Sequence, residues 1–181
     1  MPVGTIPPQE LPPGGSATVH VSGFFRDPDG DRLTYFVTTS NPNVVTAAVS
    51  GMTVTLTGVA KGTATITVTA TDPGGLGAQQ SFTANVPNQP PRAVGELPSL
   101  RLAAGDSVPV DVASYFEDPD EDVLTYAVET SDATVATASA SGSVVTVVAE
   151  TRGNATVVVT ATDAEGLAVE QSFEPGSCVG A

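Results

Sequence analysis

The stretch Phe25-Arg26-Asp27-Pro28-Asp29-Gly30-Asp31-Arg32-Leu33-Thr34-Tyr35 returns in the chain as Phe116-Glu117-Asp118-Pro119-Asp120-Glu121-Asp122-Val123-Leu124-Thr125-Tyr126. The two copies are offset by 91 residues. The same offset carries Thr71-Asp72 onto Thr162-Asp163 and Ser81-Phe82 onto Ser172-Phe173 without a gap. One module of about 90 residues, a common domain size, has therefore been duplicated.

The duplication predicts the domain boundaries. We expect a first repeat over residues 1–87, a second repeat over 88–175 and a tail over 176–181. Between the copies runs Val86-Pro87-Asn88-Gln89-Pro90-Pro91-Arg92, in which three prolines stiffen the backbone and remove hydrogen-bond donors. Because the chain enters abruptly at Met1 and its second copy ends early, we interpret it as part of a longer protein.

Short segments of alternating Val, Thr, Ile and Ala dominate both copies, and Gly, Pro, Asn and Asp separate them. Such alternation is typical of β-strands that are buried on one face. In the first copy the predicted strands are Val3 to Leu11, Ser16 to Ser22, Leu33 to Thr39, Val44 to Ser50, Thr53 to Gly58, Thr63 to Thr71 and Ala78 to Val86. The fold class is therefore all-β, with two tandem Greek-key β-sandwiches of about seven strands each.

The charge of the chain excludes several classes of partner. The formal net charge is −14, with six Lys and Arg residues in total. Such a surface repels phosphate backbones and anionic lipid, so we expect neither nucleic acid nor membrane insertion, whereas divalent cations are attracted. The sequence contains neither a secretory leader pattern nor a membrane-spanning apolar run. Its one cysteine, Cys178, excludes an intramolecular disulfide, and we expect it to lie in the tail.

The aspartates of the repeated stretch indicate a cation site. They recur at every second residue, and the intervening Pro28 and Gly30 favour a loop. Three like charges this close cost energy unless water, backbone amides or a cation screens them. Calcium takes about six to eight oxygen ligands in flexible geometry. In a seven-strand sandwich, the loop after the sixth strand lies at the same end, which adds Asp72 and Asp163.

In the second copy that end also receives the linker, so Asn88 and Gln89 can offer oxygens. The predicted metal ligands are Asp27, Asp29, Asp31, Asp72, Asn88, Asp118, Asp120, Asp122 and Asp163. An EF-hand is rejected because its required glycine at position six is Val123. The alternative that the aspartates only cap a tight turn through side-chain to backbone hydrogen bonds stays open.

The pattern Phe-x-Asp-Pro-Asp-x-Asp-x-Leu-Thr-Tyr, followed by Val-Thr-Ala-Thr-Asp and Asn-Gln-Pro-Pro, resembles the cadherin-like and Ig-like repeats of bacterial secreted and cell-surface proteins. The resemblance covers nearly the whole chain. It implies that Asp118, Asp120 and Asp163 bind calcium together with Asn88 of the linker, and that Asp27, Asp29 and Asp72 form an outer site. The chain departs from cadherins in lacking an Asp-rich linker and the Leu-Asp-Arg-Glu motif.

The residues give no support to an enzyme. The one histidine, His20, is predicted to face solvent, and Asp111 takes its place in the second copy, so a Ser-His-Asp arrangement cannot recur. We therefore expect a non-catalytic, extracellular structural or adhesive module of a larger surface protein, stiffened by calcium. The expected partners of this monomeric chain are neighbouring repeats and a cell-surface protein or glycan.

A second function hypothesis is an accessory module of a secreted hydrolase that binds glycan or protein. It depends on Phe36, which lies out of phase with Tyr35 and Val37 and is predicted to be exposed. The simpler interpretation is an isolated surface aromatic or a cover for the neighbouring strand. The absence of Trp argues against a sugar-binding platform of several rings.

Overall fold

The computed structural model describes residues 1–176, and Cys178 lies outside the described residues. The chain divides into two compact units, Met1–Asn88 and a second that begins at Gln89. The repeat placed this division after residue 87. Each unit has its own hydrophobic core.

The first unit is a sandwich of two sheets. Its strands are β1 (Gln9–Glu10), β2 (Ser16–His20), β3 (Thr34–Thr39), β4 (Val45–Ser50), β5 (Thr53–Gly58), β6 (Gly62–Thr71) and β7 (Gly77–Val86). One sheet has the order β1-β7-β6-β3 and the other the order β2-β5-β4. All pairs are antiparallel except β1, which runs parallel to β7 and pairs Gln9 with Ala84.

The second unit repeats this plan with more interruptions. Its strands are β8 (Arg92–Ala93), β9 (Leu100–Arg101), β10 (Ser107–Asp111), β11 (Phe116–Glu117), β12 (Thr125–Thr130), β13 (Ala136–Ser141), β14 (Val144–Ala149), β15 (Val157–Thr162), β16 (Ala168–Phe173) and β17 (Pro175–Gly176). The main sheets have the orders β12-β15-β16 and β10-β14-β13, while β8 pairs with β11 and β9 runs parallel to β17. Gly176, predicted to begin the tail, is therefore in a strand.

The alternation of side chains explains why these segments form strands. In β6, the residues Ala64, Ile66, Val68 and Ala70 are buried, and the threonines between them point away from the core. Because successive side chains of a strand face opposite sides, one face joins the core and the other meets solvent. Among the described residues, no helix is long and apolar enough to cross a membrane.

The first predicted strand is wrong for most of its length. Only Gln9–Glu10 of the predicted Val3 to Leu11 forms a strand. The consecutive prolines Pro7 and Pro8 have no N–H groups to donate, which prevents regular pairing before Gln9. The predicted second strand is also shorter, because Val21–Phe24 forms a 3-10 helix.

An aromatic pair stands at the base of the aspartate loop in each unit. The ring centroids of Phe25 and Tyr35 lie 5.9 Å apart in an edge-on arrangement, and those of Phe116 and Tyr126 lie 5.8 Å apart. Burial raises the pKa of both tyrosines, and the negative charge of Asp111 raises that of Tyr126 further. These pairs join the two ends of the loop to the core, because each aromatic residue flanks it on one side.

Candidate metal centre

Strand pairing brings two loops of the second unit together. The loop between β11 and β12 carries Asp118, Asp120 and Asp122, and the loop between β15 and β16 begins with Asp163. Strands β12 and β15 are antiparallel, and Thr125 at the start of β12 pairs with Thr162 at the end of β15. Asp163 follows Thr162, so it lies beside the point where the first loop enters β12. The predicted convergence of these two loops is therefore present.

Asp118 and Asp163 shape their own loops. Asp118 Oδ1 accepts hydrogen bonds from the backbone N–H groups of Asp120 at 2.8 Å and Asp122 at 3.3 Å. Asp163 Oδ1 accepts one from Leu167 N–H at 2.8 Å. The turn-capping role that the sequence left open is therefore real, but each of these bonds uses one carboxylate oxygen and leaves the second for other partners.

Three carboxylates of these loops form a cluster. Asp118, Asp122 and Asp163 each offer an oxygen, and these oxygens all lie within 4.8 Å of one another. Asp118 is 7% exposed and Asp163 is 5% exposed. Asp118 Oδ2 is buried and has no hydrogen-bond partner within residues 1–176. A buried carboxylate oxygen without a partner is costly, and a bound cation is one way to compensate it.

The donor set fits calcium. All the clustered atoms are carboxylate oxygens, which hard cations prefer, whereas zinc sites are built mostly from nitrogen and sulfur. These residues therefore have the chemistry that the sequence analysis expected of a calcium site.

The linker touches the centre through an atom that the sequence analysis did not anticipate. Gln89, the first residue of the second unit, donates its backbone N–H to Asp120 Oδ2 at 2.6 Å. Gln89 thus acts here as a donor to a carboxylate, whereas oxygens had been expected from this position. Asn88 belongs to the first unit, where its Oδ1 accepts a hydrogen bond from Lys61 Nζ at 3.3 Å.

The first unit builds the same turns without the same cluster. Asp27 Oδ1 accepts hydrogen bonds from Asp29 N–H at 2.9 Å and Asp31 N–H at 3.1 Å, and Asp72 Oδ1 accepts one from Leu76 N–H at 2.9 Å. Asp27 is only half-buried, and Asp29 and Asp31 are exposed.

Three of these aspartates, Asp27, Asp29 and Asp72, line a cavity of about 220 Å³. Within residues 1–176, however, the 4.8 Å grouping of three carboxylates does not occur in the first unit. The two predicted sites therefore differ in how closely their carboxylates are gathered.

Two further residues discussed from the sequence, His20 and Phe36, lie on the surface as predicted. His20 is exposed, and its Nδ1 lies 3.2 Å from Thr53 Oγ1. Phe36 is 63% exposed on the outer face of β3.

A pair of glutamines at the repeat offset makes matching hydrogen bonds that were not predicted from the sequence. Gln80 Nε2 donates to the carbonyl of Phe24 at 2.6 Å, and Gln171 Nε2 donates to that of Tyr115 at 2.8 Å. Their recurrence after 91 residues was the available signal.

Residues 10–82 match the model of the bacterial Ig-like domain, group 2. The first unit contains an Ig-like repeat. The predicted resemblance to bacterial Ig-like repeats is confirmed over these residues. The strands and sheets of both units confirm the predicted all-β fold class. The Ig-like repeat of the first unit has its counterpart in the second at a constant offset of 91 residues.

Similar solved structures include several with extracellular cadherin domains. Protocadherin gamma B2 domains 3–6 align at 15% identity over 94% of this chain and 44% of that chain, with a TM-score of 0.46. Human protocadherin-24 EC1-2 aligns at 20% identity over 97% and 93%, with a TM-score of 0.37.

The endo-fucoidan hydrolase MfFcnA4 from glycoside hydrolase family 107 aligns at 15% identity over 94% of this chain, with a TM-score of 0.39. The chain spans 27% of the length of that hydrolase. No curated protein matches the chain.

Proposed function

We propose that the chain is a non-catalytic structural or adhesive module of a larger extracellular protein, and that calcium stabilises its second repeat. The observation that carries the proposal is the cluster of Asp118, Asp122 and Asp163. It contains the buried Asp118 Oδ2, for which the described part of the chain provides no hydrogen-bond partner. Asp120, on the same loop, completes the set of carboxylates that would hold the ion.

The ion would act by linkage. A cation that binds the folded repeat and not the unfolded chain stabilises the fold by RT ln(1 + [L]/Kd), which is about 2.7 kcal/mol at a hundredfold excess over Kd. It would also screen the repulsion between carboxylates that the fold holds together. The chemistry supplied by calcium is thus structural: it would fix two loops of one sandwich end relative to each other.

The non-catalytic and extracellular parts of the proposal rest on the family. Bacterial Ig-like domains are common in extracellular proteins and are typically non-catalytic. The exposed position of His20 supports the same interpretation, because the one imidazole of the chain lies on the face of β2 that points away from the core.

Thermal unfolding in EDTA, calcium and magnesium tests the proposal. Extracellular calcium modules have Kd values of about 0.1–1 mM, so a few millimolar calcium gives roughly a three- to fiftyfold excess over Kd and a gain of about 1–2 kcal/mol. For a unit of this size that corresponds to a rise of roughly 4–16 °C in melting temperature. Magnesium should give a smaller rise, because it requires octahedral geometry and keeps its waters.

The chain supplies its own matched control. Asp118→Asn/Asp163→Asn keeps both turn-capping oxygens but removes two charges of the cluster, whereas Asp27→Asn/Asp72→Asn makes the same change in the first unit. We expect the second-unit variant to lose the calcium response and the first-unit variant to keep it. The proposal is wrong if the wild-type chain melts at the same temperature in EDTA and in calcium, or if the second-unit variant keeps the full calcium response. Either result would show that the aspartates act only as turn caps.

A further inference from the structure

Six outward side chains of the first unit form a surface that we call the hydroxyl face. They lie in two rows across strands β3, β6 and β7, namely Phe36-Thr69-Gln79 and Thr38-Thr67-Ser81. Gln79 Nε2 donates to Thr69 Oγ1 at 3.0 Å, and Thr67 Oγ1 lies 2.9 Å from Ser81 Oγ. Every side chain of this surface is therefore aromatic, hydroxyl-bearing or amide-bearing, and none is charged.

From this composition we propose that the hydroxyl face binds a neutral polysaccharide. Phe36 is 63% exposed at the end of one row and offers an aromatic surface on which the apolar face of a sugar ring can stack. The neighbouring hydroxyls and the Gln79 amide supply both donors and acceptors, which are the groups that recognise sugar hydroxyls. The rows stand about 7 Å apart along the strands and the strands about 5 Å apart, so the polar groups are spread over the length of a short oligosaccharide.

Charge favours a neutral ligand over an acidic one. The chain carries a net charge of −14, and none of the six side chains on this face is cationic. An anionic polymer would be repelled without a local cation to receive it, whereas a neutral one is held by stacking and hydrogen bonds. The same net charge disfavours a second copy of the chain as occupant, because two equally charged molecules repel each other.

The second unit presents the corresponding surface with different chemistry. The positions 91 residues later are Ala127-Thr160-Glu170 and Glu129-Val158-Ser172. The aromatic ring is replaced by a methyl group, and glutamates replace Thr38 and Gln79. The proposal therefore assigns the sugar-binding property to the first unit alone.

Native gel electrophoresis in gels containing a soluble polysaccharide tests this assignment on the full chain. The probes are mixed-linkage β-glucan, galactomannan and dextran, with alginate as the anionic comparison. We expect at least one neutral probe to retard the wild-type chain and alginate to leave its mobility unchanged. Phe36→Ala and Thr38→Glu/Gln79→Glu should each weaken the retardation at least tenfold, while Ser172→Ala on the second unit should not alter it.

Because these side chains are on the surface, the variants should fold, and an unchanged melting temperature verifies this. Four results would overturn the proposal. They are no retardation by any neutral probe, retardation by alginate alone, retardation that Phe36→Ala retains, and a wild-type dimer in analytical ultracentrifugation that Phe36→Ala abolishes. The last result would make the face a contact between copies of the chain.

Discussion

Glu121 adopts a φ of +63° at the position where Gly30 adopts +83° in the first unit. Both residues follow the Asp-Pro-Asp sequence of the aspartate loop, and the loop requires a left-handed backbone at this point. A side chain in this conformation costs about 1–2 kcal/mol, while glycine adopts it freely. The second unit therefore carries a local strain that the first unit avoids.

Glu121→Gly should stabilise the second unit by about 0.5–1 kcal/mol, because the relief of strain exceeds the larger entropy that glycine loses on folding. Gly30→Glu should destabilise the first unit by a similar amount. Urea denaturation of both variants measures the two changes. Glu121→Ala removes the charge but keeps the Cβ atom, so a gain from alanine equal to that from glycine would show that charge, and not the backbone, is responsible.

Asp122→Asn should change stability in opposite directions with and without calcium. Asp122 contributes a carboxylate to the cluster, but it is its backbone N–H that donates the turn-capping bond to Asp118 Oδ1, so asparagine keeps the turn. Two like charges at about 4 Å repel by about 1 kcal/mol in water and by more in a partly buried site. In EDTA the variant should therefore melt at or above the wild-type temperature, and in calcium it should melt below it. A decrease of equal size in both conditions contradicts a shared cation.

Gln80→Ala and Gln171→Ala should each destabilise their unit by about 0.5–1.5 kcal/mol, the usual contribution of one hydrogen bond. Each glutamine is half-buried and joins a late strand of its unit, β7 or β16, to the segment before the aspartate loop. Gln79→Ala is the matched control, since its hydrogen bond to Thr69 is exposed. If chemical denaturation shows that Gln79→Ala lowers the free energy of unfolding as much as Gln80→Ala does, burial does not distinguish these hydrogen bonds.

Asp132 should make the second unit slightly sensitive to acid. A hydrogen bond from the Thr134 hydroxyl at 2.6 Å, aided by backbone N–H donors, holds the pKa of Asp132 below its ordinary value of 3.8. Because the folded-state pKa is the lower one, this contribution is present above the unfolded pKa and is lost as pH falls through the folded value. An NMR titration should find the depressed pKa in the wild type.

Two variants separate the causes at this position. Thr134→Ala should return the pKa of Asp132 toward its ordinary value, since the largest lowering interaction is removed. Asp132→Asn should make this contribution independent of pH, as in the first unit, where Asn41 Oδ1 accepts a hydrogen bond from Asn43 N–H at 3.1 Å in the same turn. A titration of Asp132 that Thr134→Ala does not alter would contradict this explanation.

The features that the sequence predicts correctly are those with a local physical cause. The strand β5, Thr53–Gly58, was predicted to the residue, because alternation and the adjacent turn glycine define it. Gly51 has a φ of +58° in that turn and Gly142 has +59° in its counterpart. The capping bonds of Asp27 and Asp118 follow equally from neighbouring residues in the chain.

What the sequence did not reveal depends on distant neighbours. Asp27 and Asp118 have the same local sequence, Asp-Pro-Asp, yet one is half-buried and the other is buried. The contact of Gln89 N–H with Asp120 spans 31 positions and uses a backbone atom, which no residue type encodes. The sequence therefore predicts which residue types would bind calcium, whereas only the fold shows that three of these carboxylates cluster in the second unit.

The parallel pairing of β1 with β7 has a mechanical consequence. Along the sequence, β1 lies near the start of the first unit and β7 near its end, so tension applied to the two termini of the unit would slide these strands along each other and load their hydrogen bonds together in shear. The pairing involves only Gln9 with Ala84 and Glu10 with Asn85. We expect single-molecule stretching to show a short, early extension as this clamp releases, before the ten-residue pairing of β6 and β7 ruptures. The first repeat would thus give way in two stages, the first of which lengthens the chain without unfolding the sandwich.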